Sequence, residues 1–227
     1  MSPAMNPVHG SFAADAFVLL RYGVFARMER LIKFVAAAGL AAGALLSFKY
    51  AFDGSGLGHA LVRGFLPAFC IVSLLVWHFF TSGAVLLCSP SQARLVPRVR
   101  RRIVGMVAGG WVILVALCTV AFGTTPDTYP QVALYVGLYS LSLPMSNVRW
   151  TIGTALFAAG YAAFFSRMSD AAWRGIFFGW SGAALALIGL PLSLVVVVRT
   201  LYPANSERTW EVLHKVERGD RMSRQPF

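Results

Sequence analysis

The 227-residue chain is 57% AVILMFWYC and only 13% charged, with a formal net charge of +11 and a mean hydropathy of +0.66. That balance excludes an ordinary soluble domain, which would cover one apolar core with charged side chains instead of leaving long stretches without charge. The Lys and Arg excess lies between apolar segments and not on a continuous basic face with interleaved aromatics, so it argues against nucleic acid and for a lipid bilayer as the surrounding medium.

Residues 1–10 carry Pro3, Pro7 and Gly10 without periodicity and read as an irregular tail. Over 17–31 the pattern changes, with Phe17, Leu20, Val24, Met28 and Leu31 at three-and-four spacing while Arg27 and Arg30 fall elsewhere, which predicts an amphipathic helix on the membrane surface. The first uncharged run, 34–48, is Ala-rich, and the long segment before it argues against a cleaved signal peptide. Further apolar runs follow at 65–88, 103–123, 131–145, 150–166 and 175–198. A crossing needs about 20 residues, so the fourth and fifth runs are short. Pro144, Ser146, Asn147 and Arg149 separate these two and predict a tight hairpin; one long broken helix would remove a crossing.

Charge arbitrates between the two readings. With the N-terminus inside, the cytoplasmic set is Arg21, Arg27, Arg30 and Lys33, then Arg94, Arg98, Arg100, Arg101 and Arg102, then Arg149, then Arg199, Arg208, Lys215, Arg218, Arg221 and Arg224. Only Lys49, Arg63, Arg167 and Arg174 remain outside. The positive-inside rule therefore favours six crossings with both termini in the cytoplasm. Tyr50, Tyr129, Trp150, Trp173 and Tyr202 fall at predicted ends, where amphipathic rings prefer to sit. The expectation is an all-α, polytopic membrane bundle of about six transmembrane helices. It divides into a tail with an interfacial helix (1–32), the transmembrane domain (33–202) and a cytoplasmic tail (203–227).

Within the runs, chemistry is sparse. No Asp or Glu lies inside a predicted span, which weighs against an ion-coupled carrier. His78, between Trp77 and Phe79, is the one ionisable residue deep in a span; it reads as a packing residue or as an intramembrane polar site lining a path. Gly39 with Gly43, Gly105 with Gly109 and Gly175 with Gly179 are GxxxG pairs that permit close helix packing. Cys70, Cys88 and Cys118 lack CxxC spacing and read as small packing residues, with palmitoylation of Cys88 the weaker alternative. No HExxH, GxSxG, paired carboxylates or Walker sequence occurs, so neither an enzyme nor a cofactor or metal site is expected.

The connection at 89–102 is basic and mixed with apolar residues, Arg94, Leu95, Val96, Arg98, Val99, Arg100, Arg101 and Arg102. It serves topology and anionic-lipid contact, at about 1 kcal/mol per charge, and Leu95, Val96 and Val99 suit a partner's groove. After the last run, Trp210, Leu213 and Val216 recur every third residue, with Glu211 and Lys215 placed to pair, which predicts a short cytoplasmic helix with one apolar edge.

An amphipathic leading helix, six spans and the basic stretch Arg94-Leu-Val-Pro-Arg-Val-Arg-Arg-Arg102 together resemble permease subunits of ABC-2-type exporters of the bacterial inner membrane. The resemblance covers most of the chain as architecture and only this stretch as motif. It implies a permease driven by a separate cytoplasmic ATPase that contacts this loop, and a homodimer or paired permease subunit to complete the path. The short outer connection 167–174 departs from exporters with re-entrant helices there. The alternative is a non-transporting membrane scaffold or accessory subunit that recruits a partner or anionic lipid.

Overall fold

A run without charge can satisfy its backbone N–H and C=O groups in lipid only by bonding them internally, and the apolar runs are helical in the computed structural model. The structure describes residues 30–54, 56–88, 99–166, 171–203, 210–212 and 214–215. The helices are α1 (Arg30–Phe52), α2 (Leu57–Ala60), which passes through a π-helical segment (Leu61–Phe65) into α3 (Leu66–Leu87), then α4 (Val99–Phe122), α5 (Tyr129–Ser146), α6 (Trp150–Phe165), α7 (Ala171–Phe177) and α8 (Gly179–Leu201). No strand occurs among the described residues, so the chain is all-α as expected.

Close approaches fix the direction of each helix. Gly39 faces Val72, Gly43 faces Ala68 and Gly64 faces Ser47, so α1 and α2–α3 run antiparallel. The buried Cys70 and Cys118 are neighbours and Gly110 lies against Trp77, which sets α4 antiparallel to α3. α5 and α6 form the expected hairpin, because Gly153 sits on the Ser146 backbone and Gly160 on Leu138, Tyr135 and Tyr139. Gly137 meets Leu190 while Pro130 lies beside Gly182, so α8 runs parallel to α5.

The α5 helix occupies the centre, with Gln131, Val132, Leu134, Val136, Gly137, Leu138, Ser140, Leu141, Ser142, Pro144 and Met145 all buried. α3, α4, α6 and α8 pack around it, α1 lies against α2 and α3, and these helices turn large apolar side chains outward. Leu187, Ile188 and Trp180 of α8 are 77%, 71% and 93% exposed, an arrangement that a water-soluble surface does not tolerate over a whole bundle. Among the described residues, three helices are long and apolar enough to cross a membrane: Leu57–Val85, Arg100–Phe122 and Gly179–Leu201. Ala36–Phe52 and Trp150–Phe165 are apolar but shorter.

Several expectations differ in detail from the structure. Gly175 belongs to α7 and Gly179 opens α8, where extended Phe178 and a Gly179 φ of 58° break the chain, so this pair shares no helix face. A positive φ of this kind is accessible to Gly at little cost. Gly105 and Gly109 meet nothing within 4 Å, whereas Gly39 and Gly43 do pack against a neighbouring helix. Tyr202, predicted as an interfacial ring, is only 1% exposed, because its hydroxyl reaches the Thr81 carbonyl at 3.3 Å inside the bundle. The predicted surface helix at 17–31 lies outside the described residues except for its last two positions, as do 89–98, Arg167, Leu213 and everything from Val216 onward.

Candidate functional site

Helix directions bring three polar layers together along α5. In the middle layer, Trp77 from α3 and Trp111 from α4 converge on one turn. The Trp77 Nε1–H donates to the Ser140 carbonyl (3.1 Å) and the Trp111 Nε1–H donates to Ser140 Oγ (3.0 Å). Ser140 Oγ in turn donates to the Gly137 carbonyl (3.0 Å). All three side chains are buried. An indole N–H enclosed in an apolar medium requires an acceptor, and a small Ser on the central helix leaves room for both rings to reach one.

At the end of the bundle where α5 begins, Gln131 is 3% exposed. Its Nε2 donates to the carbonyls of Ala163 (2.8 Å) and Phe164 (3.2 Å). These belong to the last turn of α6, where Ser166 at the helix end also donates from Oγ to the Ala163 carbonyl (2.6 Å), so Gln131 adds a cap on one arm of the hairpin from the other. Its Oε1 is buried without a hydrogen-bond partner. Gln131 also lines a cavity of about 300 Å³ with Ile71, Leu74, Phe122, Val132, Tyr135, Val136 and Phe164. A second cavity of about 360 Å³ shares Ile71 and Leu74 and continues to Leu75, His78, Tyr139 and Leu143. Tyr135 and Tyr139 stack at 5.8 Å along this path, and Phe164 lies 4.9 Å from Tyr135. The result is a lateral groove between α3 and α5, apolar along most of its length, with Gln131 at one end and His78 further along. Ile71 and Phe164 in its walls are exposed, so the groove opens on the outside of the bundle.

The opposite end is basic. Arg100, in the first turn of α4, donates from Nε (2.9 Å) and Nη2 to the carbonyl of Tyr202, which caps α8. A guanidinium there satisfies a terminal carbonyl and complements the negative end of the helix dipole. Beside it a cavity of about 460 Å³ lies between the α5–α6 turn, the last turn of α8 and the helical residues 210–212 and 214–215. Arg149, Arg199 and Lys215 line it, with Glu211 bound to Lys215 at 2.6 Å.

Of the residues singled out in the sequence, His78 faces the lateral groove, its ring edge-on to Phe79 at 5.5 Å. Arg100, Arg101 and Arg102 belong to helix α4 and not to a free connection. Arg94, Leu95, Val96 and Arg98 lie outside the described residues. Cys88 is 6% exposed and enclosed in the core, which suits the packing reading better than lipidation. In the tail the inward residue is Val212, while Trp210 is 47% exposed. Sequence reading passed over Gln131, Trp111 and Ser140. The available signal was a Trp in mid-span, far from either interface, and a Gln inside an apolar run, each of which needs a partner across helices.

What these elements define is an all-α bundle with an apolar exterior, a lateral groove and one basic end. Compared with protein-family models, curated proteins and solved structures, the chain matches none.

Proposed function

We propose that the chain is an integral membrane protein of six crossings in a bacterial inner membrane, with both termini cytoplasmic, and that it acts as the permease subunit of an ATP-driven exporter. The membrane reading is supported by the outward-facing apolar side chains and by the gathering of Arg100, Arg149, Arg199 and Lys215 at one end of the bundle. The α5 and α6 helices have 18 and 16 residues, about 27 and 24 Å at 1.5 Å per residue, short of a hydrocarbon core of about 30 Å. α5 is largely enclosed by protein and meets lipid only along the groove, and at the start of α6 Trp150 stands beside Arg149, two anchors suited to a locally thinned interface.

The observation that carries the permease reading is the lateral groove, which gives an amphipathic molecule an apolar wall and, at Gln131, a buried acceptor. The motive force comes from the resemblance of the 94–102 stretch to exporter coupling loops. Single-cysteine accessibility at Gly54, Thr125 and Asn147 tests the topology. Six crossings require the first two to label from outside and the third from inside. Purification of the tagged protein in mild detergent from its own cells, with mass spectrometry of what accompanies it, tests the function. A nucleotide-binding ATPase in near-stoichiometric amount supports the permease, and its repeated absence leaves the scaffold reading in its place. Replacing Arg100, Arg101 and Arg102 with Glu is expected to uncouple the complex or invert local topology; unchanged topology with unchanged activity refutes the coupling role.

A further inference from the structure

The cavity at the basic end is built from parts distant in sequence. Arg149 comes from the α5–α6 turn, Arg199 and Thr200 from the last turn of α8, and Glu211, Val212 and Lys215 from the tail. Among the described residues, Glu211 is the single carboxylate in its walls and is bound to Lys215 at 2.6 Å. Among the described residues, the side chains of Arg149 and Arg199 make no hydrogen bond or ion pair. Arg149 and Arg199 therefore line one concavity with no ion-pair partner of their own among the described residues, beside a Glu211 already engaged by Lys215. Both arginine side chains are exposed, so water and salt screen their mutual repulsion, and an anion between them would lower it further. The guanidinium fork matches two oxygens of a tetrahedral oxyanion at once, which an ammonium does not. Thr200 offers its hydroxyl to Val196 at 2.8 Å, so the cations and not the hydroxyl carry recognition.

We propose that this cavity binds a phosphate group, clamped between Arg149 and Arg199 with Lys215 as a third cation. The volume of about 460 Å³ exceeds a bare phosphate and accommodates a headgroup or a substituted phosphate. Filling it would tie the tail to the α5–α6 turn and the end of α8, making the order of the tail depend on the anion. Such a site needs neither the lateral groove nor an ATPase, and so does not depend on the permease reading.

The test uses the full chain in nanodiscs and in detergent. In the lipid arm, thermal stability and tail protection in hydrogen exchange are compared between phosphatidylcholine discs and discs containing phosphatidylglycerol. In the soluble arm, inorganic phosphate and pyrophosphate are titrated in phosphatidylcholine discs alone. A response confined to the first arm identifies a lipid headgroup, and a saturable response in the second identifies a soluble phosphate; either supports the site. Arg149→Gln and Arg199→Gln should each weaken the response by about fivefold, from about 1 kcal/mol per cation near an anionic partner. Arg149→Lys, which keeps the charge but not the fork, should lie between. Lys49→Gln, which removes the same charge at the other end of the bundle, should leave the response intact. No response of the wild-type chain in either arm, or equal losses for Lys49→Gln and Arg149→Gln, would overturn the proposal. The wild-type arms decide even if a variant fails to fold.

Discussion

Gly153→Ala offers the sharpest test of the helical hairpin. A Cβ at Gly153 would stand 2.7 Å from both the Cα and the N of Ser146 and 3.2 Å from the Met145 carbonyl carbon. These are backbone atoms, so no rotamer change relieves the contact and α6 must move away from α5 by several tenths of an ångström. Overpacking of this kind costs about 1–3 kcal/mol. The same substitution raises helix propensity by about 0.5–1 kcal/mol, so a net loss of about 0–2.5 kcal/mol, centred on about 1 kcal/mol, is expected from the two together. Gly105→Ala provides the control, since Gly105 is also helical but meets nothing within 4 Å. It receives the propensity gain alone and should be neutral to stabilising. Reversible unfolding in mixed micelles, followed by tryptophan fluorescence, measures both. Gly153→Ala above wild-type stability would refute the packing of the hairpin, and a matching loss in Gly105→Ala would show that the effect is not steric.

The remaining expectations probe other contacts. Arg100→Gln removes the cation that caps α8 and should destabilise by about 1–2 kcal/mol, given that hydrogen bonds from charged donors contribute about 1.5–3 kcal/mol and this one is only part-buried; equal stability in the same unfolding assay would refute the cap. A membrane-permeant oxidant should join Cys70 to Cys118, which are buried as neighbours, and peptide mass spectrometry should recover that disulfide in preference to any pair with Cys88. Trp111→Phe should cost about 1 kcal/mol through loss of its N–H donor, and combining it with Ser140→Ala should cost less than the sum of the two, because both remove the same 3.0 Å bond. Additive losses in that cycle would mean that the bond contributes nothing.

The sequence made the helices legible because charge spacing and apolar runs are properties of the chain itself. The hairpin at Pro144–Arg149 followed from turn residues flanked by two apolar segments, and the structure adds the Gly153 and Gly160 contacts that close it. Helix ends were less legible. α4 starts at Val99, so Arg100, Arg101 and Arg102 are helical, although their charge alone reads as a connection. The reason is tertiary, since the Tyr202 carbonyl at the end of α8 accepts from Arg100 and steadies a positively charged first turn that the helix dipole opposes. The lateral groove was legible only as His78, because its other members, Gln131, Tyr135 and Tyr139, become neighbours of α3 through packing. A periodicity argument on one helix carries no information about which helix it will face.

The position of α5 explains why hydropathy alone understates it. Three tyrosines, three serines and Gln131 lower the apolar character of its sequence, which in a helix facing lipid would leave polar groups without partners. Enclosed by α3, α4, α6 and α8, the same residues become the interior wiring of the bundle. Ser140 accepts from Trp111 while its carbonyl accepts from Trp77, Gln131 caps α6, and Tyr135 and Tyr139 line the groove. Polar bonds between helices in lipid average about 0.6 kcal/mol each, so none of these dominates stability. Their value lies in register: sliding α5 by one turn against α3 and α4 would break both indole bonds at once and bury two donors without acceptors, at about 1–3 kcal/mol each. A helix that fixes register through polar contacts, and whose partners are otherwise held by apolar packing, is the element against which the peripheral helices move if this bundle changes shape.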